Sequence, residues 1–445
     1  MDTQTVVTRV APSPTGQMHI GTVRTALFNY LWAKKNGGDF LVRIEDTDTE
    51  RNRPEWVQMI WQDYDWCGLV PDKKYIQSEH LPRHRELLEK LVAEGKAYIS
   101  HEPSKDDPTK IVSLVRFKNH GTRVSFVDGI HGEISFDTAE LGDFVIARSL
   151  DEPLYHFAVV VDDADAGVTY IIRGEDILSS TARQILIQEA LGFPRPHYVH
   201  LPLILSSDRK KLSKRHHVVS LEDYRNNGFL PEGILNYLAL LGWNPGTDEE
   251  IFTLEELIEK FSLKQLQKSG AIFDDIKLRW FNHEHIKRLS NDEFVARMEA
   301  FVSKSGAPAL PAYFSKVAPL LKERVETLLQ AQNALLEGEF SFMEGDVAPP
   351  AELLLKGAKA EASAVKEHLA MVQNMFSSIK AEDFTAEGVK EAVFPYATQQ
   401  GRASVLWPLR VALSGKEKSP DPFTLCALLG KDVVLQRIEQ ALQLL

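Results

Sequence analysis

The chain has 445 residues, with 51 Lys plus Arg against 63 Asp plus Glu and a formal net charge of −12; its 44% hydrophobic and 26% charged fractions argue against long disorder and suit roughly two to four domains. It has no run of 18 apolar residues, no basic flank leading into an apolar N-terminal stretch, and two cysteines, Cys67 and Cys426. This argues against a membrane helix, a secretory leader, a disulfide framework and a multi-cysteine zinc site, and fits a reducing cytoplasm; taken alone, the acidity also argues against a nucleic-acid partner.

Val6 to Ala11 is a short β-branched run ending at Pro12, which predicts a buried parallel strand. Val23, Ala26, Leu27, Tyr30 and Leu31 then recur at helical spacing until Gly37 and Gly38. Phe40 to Ile44 predicts a second strand, completing a βαβ unit with a nucleotide-sized loop after its first strand. From Ala97 to Leu150 the texture changes: Thr122 to Val127, Glu133 to Phe136 and Asp143 to Ala147 predict antiparallel hairpins. The α/β pattern then resumes, with strands expected at Tyr155 to Val161, Thr169 to Ile172 and Tyr198 to Leu205, and a helix at Thr181 to Leu191. The predicted fold is a Rossmann-like, doubly wound α/β domain with an α+β insertion, followed from about residue 217 by a mostly helical region with a candidate boundary at Pro349-Pro350.

Two loops stand out. Ala11-Pro-Ser-Pro-Thr-Gly-Gln-Met-His-Ile-Gly-Thr22 joins the first strand to the first helix; its prolines fix the backbone and Gly16 and Gly21 allow close approach of a ligand. His19 and Gly21 stand at a helix start, where free N–H groups and the positive dipole end favour phosphate. A histidine there can donate to a phosphoryl oxygen as charge builds up. The second loop, Ser206 to Arg215, holds five basic residues and one acid, a local charge of +4. It follows the strand ending at Leu205, at the carboxyl edge where ligands bind in such sheets. Lys211 and Lys214 supply mobile point charges that suit a triphosphate.

His19-Ile-Gly-Thr22 and Lys211-Leu-Ser-Lys-Arg215 resemble the "HIGH" and "KMSKS" motifs of class I aminoacyl-tRNA synthetases. Arg9 to Gly16, Arg43-Ile-Glu-Asp-Thr-Asp48, Tyr155 to Asp163 and Ile172-Arg-Gly-Glu-Asp176 narrow the resemblance to the bacterial-type glutamyl-tRNA synthetases. The likeness continues through Leu235 to Trp243, Phe252 to Glu256, Lys277 to Trp280 and Trp407 to Gly415. The competing members differ in ways the sequence can discriminate. Thr22 and Ala11-Pro-Ser-Pro argue against a glutaminyl enzyme, the chain beyond Ser305 against the tRNA-modifying glutamyl-Q enzyme, and His19, Lys211 and Lys214 against a binding-only paralogue.

The resemblance implies a catalytic domain at 1–96 and 151–217, an inserted acceptor-end-binding domain at 97–150, a stem-contact domain at 218–295 and helical anticodon-binding domains at 296–350 and 351–445. It implies a glutamate–tRNA ligase: L-glutamate and ATP, with Mg²⁺ accompanying ATP, give glutamyl-adenylate, and tRNA(Glu) receives the glutamyl group. Some members also load tRNA(Gln), which links them to a tRNA-dependent amidotransferase. The expected state is a cytoplasmic monomer. His19, Lys211 and Lys214 are the expected catalytic groups. Ser13, Thr15, Gly21, Thr22, Asp176, Leu203, Ile204, Leu212, Ser213 and Arg215 are implied on the ATP side, with Leu203 and Ile204 flanking adenine.

The implied glutamate contacts are Arg9, Ala11, Ser13, Glu45, Tyr155, Val159 and Arg173. Arg9 and Tyr155 face the side-chain carboxylate, Glu45 takes the ammonium, and Arg173 also binds the amino acid; a glutamine side chain is expected to leave Arg9 unpaired. Val159, Asp176 and Ile177 depart from residues found in some relatives, asparagine, glutamate and tryptophan respectively. The cysteines that begin a zinc site in some relatives, near Tyr98 to His101, are missing, and His101, His120 and His131 do not make a tetrahedral site; no zinc is expected. Arg402, Trp407 and Arg410 combine stacking and charge as anticodon bases require, and are equally readable as a buried Trp with helix-surface arginines.

Overall fold

A computed structural model of the chain describes residues 5–47, 50–104, 107–210 and 220–445. It contains two compact units, Met1–His285 and Ile286–Leu445. The first is α/β and the second is helical.

The first unit is built on a seven-stranded sheet. In chain order its strands and those of a smaller sheet are β1 (Val7–Val10), β2 (Asp39–Ile44), β3 (Lys73–Ile76), β4 (Ala97–Pro103), β5 (Ile111–Phe117), β6 (Arg123–Asp128), β7 (Gly132–Asp137), β8 (Phe144–Ser149), β9 (Glu152–Pro153), β10 (Tyr170–Gly174) and β11 (His197–Leu201). The large sheet runs β3-β2-β1-β10-β11-β6-β7, parallel except for β7. All four residues of β1 are buried, as a strand covered on both faces requires. Its two polar members find partners: the Thr8 hydroxyl donates to the Asn29 carbonyl at 2.9 Å, and Arg9 pairs with Asp163. The strand order reverses between β1 and β10, which opens a crevice at their carboxyl ends.

Two sequence expectations change. Tyr155 to Val161 is not a strand; it lies in a helix, Tyr155–Asp165, in which Phe157 through Val161 are all buried. A fully buried apolar run carries no periodicity that separates helix from strand, so the β-branched residues mislead here. The expected strand Tyr198 to Leu205 is cut at Pro202, which cannot donate to a ladder. Ile204–Leu205 (β12) leaves the large sheet and pairs in parallel with Ala271–Ile272 (β13).

The segment 97–150 is also divided. β4, β5, β8 and β9 form a separate four-stranded sheet, whereas the hairpin β6–β7 extends the large sheet through the register Tyr198↔Asp128. Helix α1 (Ile20–Lys35) packs its Leu27, Phe28 and Leu31 into a core that includes Phe40, Trp243 and Phe261; Phe28 and Phe261 stack at 5.3 Å.

In the second unit, helices Ala362–Ser378, Arg402–Ser414 and Lys431–Leu444 bury Leu369, Val372, Leu409, Ala412, Val434 and Ile438. Pro349 and Pro350 precede the helix Ala351–Lys356 inside this unit. No helix among the described residues is long and apolar enough to cross a membrane.

Candidate active site

A cavity of about 630 Å³ opens at the strand-order reversal. Arg9, Ala11, Ser13, Thr15, His19, Gly21, Thr22, Glu45, Tyr155, Arg173, Asp176, Leu203 and Ile204 all line it. Val159 is not among the lining residues; it is buried in a core cluster with Phe157 and Val161. Lys211, Leu212, Ser213, Lys214 and Arg215 lie outside the described residues. Their flanks are described. Before them, β12 is held by β13 and the Ser206 amide donates to the Lys210 carbonyl at 2.9 Å. After them, Ser220 bridges to His19, and the Leu221 amide donates to the Met18 carbonyl at 2.9 Å.

His19 is the N-cap of α1. Its Nδ1 accepts the Thr22 amide at 3.3 Å, so one orphan donor of the helix start is satisfied by the imidazole itself. Gly21 leaves the imidazole room: a Cβ there would stand 3.0 Å from both Cε1 and Nδ1 of His19 and press the ring aside. This corner therefore presents an imidazole and helix-end N–H groups, a natural seat for phosphate.

The opposite side is a buried ionic network. Arg9 donates Nε and Nη2 to Asp163 at 3.1 Å, and Arg43 donates Nη1 to the same carboxylate at 2.7 Å. Arg43 also approaches Glu45 at 3.3 Å and Asp162 at 3.6 Å. Asp162 is further held by His84 at 2.6 Å and Gln77 at 2.7 Å. Burial opposes ionisation of Asp163, but Arg9 and Arg43 overcome it and keep its carboxyl below the usual range. At Glu45 burial wins over Arg43 and Arg9, and its carboxyl is pushed up. Burial likewise raises the Tyr155 phenol.

Arg9 is thus already paired within the protein. The expectation that a glutamine side chain would leave Arg9 unpaired is corrected for its Nε and Nη2, which Asp163 already holds. Arg173 differs. Its Nε and Nη2 are held by His200 and Thr181, but Nη1 is buried with no hydrogen-bond partner among the described residues.

One peptide group of the wall is gripped at both ends. The Pro202 carbonyl accepts from Arg24 Nη2, and the Leu203 amide of the same peptide donates to Glu175 at 3.0 Å. Arg24 also donates to the Leu241 carbonyl at 3.1 Å, and burial lowers its pKa to about 10. Sequence reasoning assigned no role to Asp163, Arg43, Asp162, Arg24 or Glu175. The available signal was charge inside apolar runs, an arginine within Phe40 to Ile44 and two aspartates closing Val159-Val160-Val161, since such charges stay buried only when paired.

The histidines named for a zinc site have other partners: His101 hydrogen-bonds Ser113 at 2.9 Å and His131 stands 3.5 Å from Glu175. In the second unit, Trp407 donates to the Leu353 carbonyl at 2.8 Å, Arg410 lies over the Trp407 ring at 4.7 Å and donates to Glu417 and Ser419, and Arg402 lies over Phe394 at 4.6 Å. Trp407 is half-buried, and all three side chains have partners within the helical unit.

Residues 5–107 and 105–280 match the family described as tRNA synthetases class I (E and Q), catalytic domain, and residues 293–442 match an anticodon binding domain. The chain is 38% identical to a glutamate–tRNA ligase of Geobacter sulfurreducens, over 97% of each chain. It is also 38% identical to that of Bordetella petrii, over 98% of each. Among solved structures, a glutamate tRNA ligase from Elizabethkingia meningosepticum, in complex with its amino acid, superposes with a TM-score of 0.83 at 30% identity, covering 99% of each chain.

Proposed function

The chain belongs to the class I tRNA synthetases of the glutamate and glutamine branch and is a glutamate–tRNA ligase; from that premise we propose how its cavity carries out the reaction. The α-carboxylate of L-glutamate attacks the α-phosphorus of ATP, forming the mixed anhydride and releasing diphosphate. A 3′-terminal hydroxyl of tRNA(Glu) then attacks the activated carbonyl, releasing AMP. The first nucleophile is already an anion, so positioning and neutralisation of phosphate charge carry the rate and no general base is needed.

The observation that carries this reading is the polarity of the cavity: its lining holds a helix N-terminus with His19 and also buried Arg9, Arg173 and Glu45. MgATP lies with its phosphates toward His19, Gly21 and Thr22 and its adenine between Leu203 and Ile204; Ser13, Thr15 and Asp176 complete its contacts. Lys211 and Lys214 supply further charge to the triphosphate, with Leu212, Ser213 and Arg215 beside them. Glutamate lies toward Arg9, Arg173, Tyr155 and Glu45, with Ala11 and Ser13 alongside. Glutamine is rejected because its amide N–H groups would face guanidinium N–H donors, leaving buried donors unsatisfied. The chain acts as a cytoplasmic monomer. Residues 97–150 meet the acceptor end, 218–295 the stem, and 296–445 the anticodon.

The test is direct. Purified protein with ATP, labelled glutamate and bulk tRNA yields acid-precipitable label, and labelled glutamine yields none. Absence of label with any tRNA overturns the reading. Separate tRNA(Glu) and tRNA(Gln) transcripts then decide whether the enzyme feeds an amidotransferase.

A further inference from the structure

We propose that Asp128 and His200 are positioning residues for glutamate: they hold the Arg173 fork in its binding orientation by fixing His200 in the Nδ1–H form. The proposal rests on the reading of Arg173 as an amino-acid-binding group. It assigns a task in the glutamate pocket to the β6–β7 hairpin, which lies within the inserted segment.

The argument is a chain of donors and acceptors. Arg173 Nε points to His200 Nε2 at 3.1 Å, and Arg173 Nη2 to the Thr181 hydroxyl at 2.8 Å. A guanidinium only donates, so Nε2 must carry a lone pair. The Thr181 hydroxyl, which accepts from Arg173, is also 3.1 Å from Nε2 and can only donate its proton there. Neutral imidazole with a bare Nε2 carries its proton on Nδ1, and a fully buried N–H needs a protein acceptor. Asp128 Oδ2 provides it at 2.7 Å.

Asp128 cannot turn away. Its Oδ1 accepts the amides of Ile130 and His131 at 2.9 and 3.0 Å, and Oδ2 also accepts the His200 amide at 3.1 Å. His200 is fully buried, and Asp128 and Arg173 are 2% and 4% exposed. Tyr198 stacks on the His200 ring at 6.1 Å and lies under the guanidinium at 5.8 Å, which restrains both planes. With two of its nitrogens tied, Arg173 keeps Nη1, buried and without a hydrogen-bond partner among the described residues, for a ligand. The same logic places a carboxylate behind histidine in other sites, where it sets the tautomer and ring orientation rather than taking the proton.

The experiment uses the full chain with tRNA and measures KM for glutamate and for ATP separately, with melting temperature as the fold control. His200→Ala should raise KM for glutamate about 10–100-fold, the range seen for outer-shell partners, while KM for ATP stays within about twofold. His200→Gln, whose amide oxygen can accept where Nε2 does, should recover much of the loss. Thr181→Val should shift the glutamate KM in the same direction by less. Should His200→Ala fail to fold, Thr181→Val decides, because it removes only part of the relay. The proposal is overturned if folded His200→Ala, or Thr181→Val where His200→Ala does not fold, leaves the glutamate KM within about twofold of wild type, or if both KM values rise together as a merely structural defect would produce. A wild-type chain that does not charge tRNA overturns the functional reading instead, so the two failures are distinct.

Discussion

Arg9 and Asp163, 154 positions apart in the sequence, form a buried two-pronged ion pair, with Arg9 Nε and Nη2 both 3.1 Å from the carboxylate. Arg43 shares that carboxylate at 2.7 Å, so a single helix carboxylate bridges two strand arginines, of which Arg9 lines the cavity. Removing the carboxylate leaves two guanidinium groups to divide Glu45 and Asp162. Breaking a buried pair from one side costs about 3–5 kcal/mol because the surviving charge is stranded. Asp163→Ala should therefore lose about that much stability in denaturant unfolding, and a loss under about 1 kcal/mol would show that the network relaxes around the gap.

Gly21 and His19 make opposite predictions for stability and rate. An alanine at 21 improves helix propensity by up to about 1 kcal/mol, yet its Cβ would press on the imidazole from 3.0 Å. Gly21→Ala should keep or raise the melting temperature while slowing ATP–diphosphate exchange measured with tRNA present. His19→Ala should slow the same exchange about 100–1,000-fold, the cost of removing one preorganised donor to a developing charge. Full activity in Gly21→Ala would mean that the imidazole needs no fixed placement.

The sequence disclosed the cavity wall because its two loops carry unusual residues in consecutive positions, and consecutive residues after a strand must lie at one sheet edge. It disclosed β1, α1 and β2 for a related reason: each is an apolar run closed by residues that stop it, Pro12 after β1, Gly37 and Gly38 after α1, and acidic residues after β2. It did not disclose the pairing beneath. Arg9, Arg43, Asp162 and Asp163 are joined across 119 to 154 positions, and local pattern holds no information on such distances. Reading Tyr155 to Val161 as a strand made this harder, because strand alternation would have sent Asp162 and Asp163 to opposite faces. On a helix neighbouring side chains diverge by about 100°, and both reach the arginines. The division of 97–150 was hidden likewise, since hairpin signals do not say which sheet a hairpin joins.

Arg24 and Glu175 grip the Pro202–Leu203 peptide by its carbonyl and its amide. The peptide forms the cavity wall beside Leu203 and Ile204, so losing either grip should loosen nucleotide binding more than glutamate binding. Hydrogen bonds to charged groups contribute about 1.5–3 kcal/mol, which sets a rise of roughly tenfold or more in KM for ATP in Arg24→Met. Glu175→Gln retains an oxygen for the Leu203 amide and should be milder than Glu175→Ala. Equal effects of the two Glu175 variants would show that its charge, rather than this hydrogen bond, is what matters.

His156, in the first turn of the helix Tyr155–Asp165, sets a pH window for stability. Burial, with Arg183 and Arg173 nearby, lowers its pKa to about 4 from 6.5. The unfolded chain takes up a proton as pH falls below about 6.5, and the folded chain does not until about 4. Stability is therefore lost progressively as pH falls across that interval, by up to about 3 kcal/mol, and no further loss from this group follows below it. Asp163 acts elsewhere: its carboxyl is held below the usual range, so its contribution disappears only in stronger acid. His156→Phe removes the first effect and leaves the second. Urea unfolding at pH 7, 5.5 and 4.5 should show wild type losing stability faster than His156→Phe, and parallel curves would mean that the imidazole is charged in the native state.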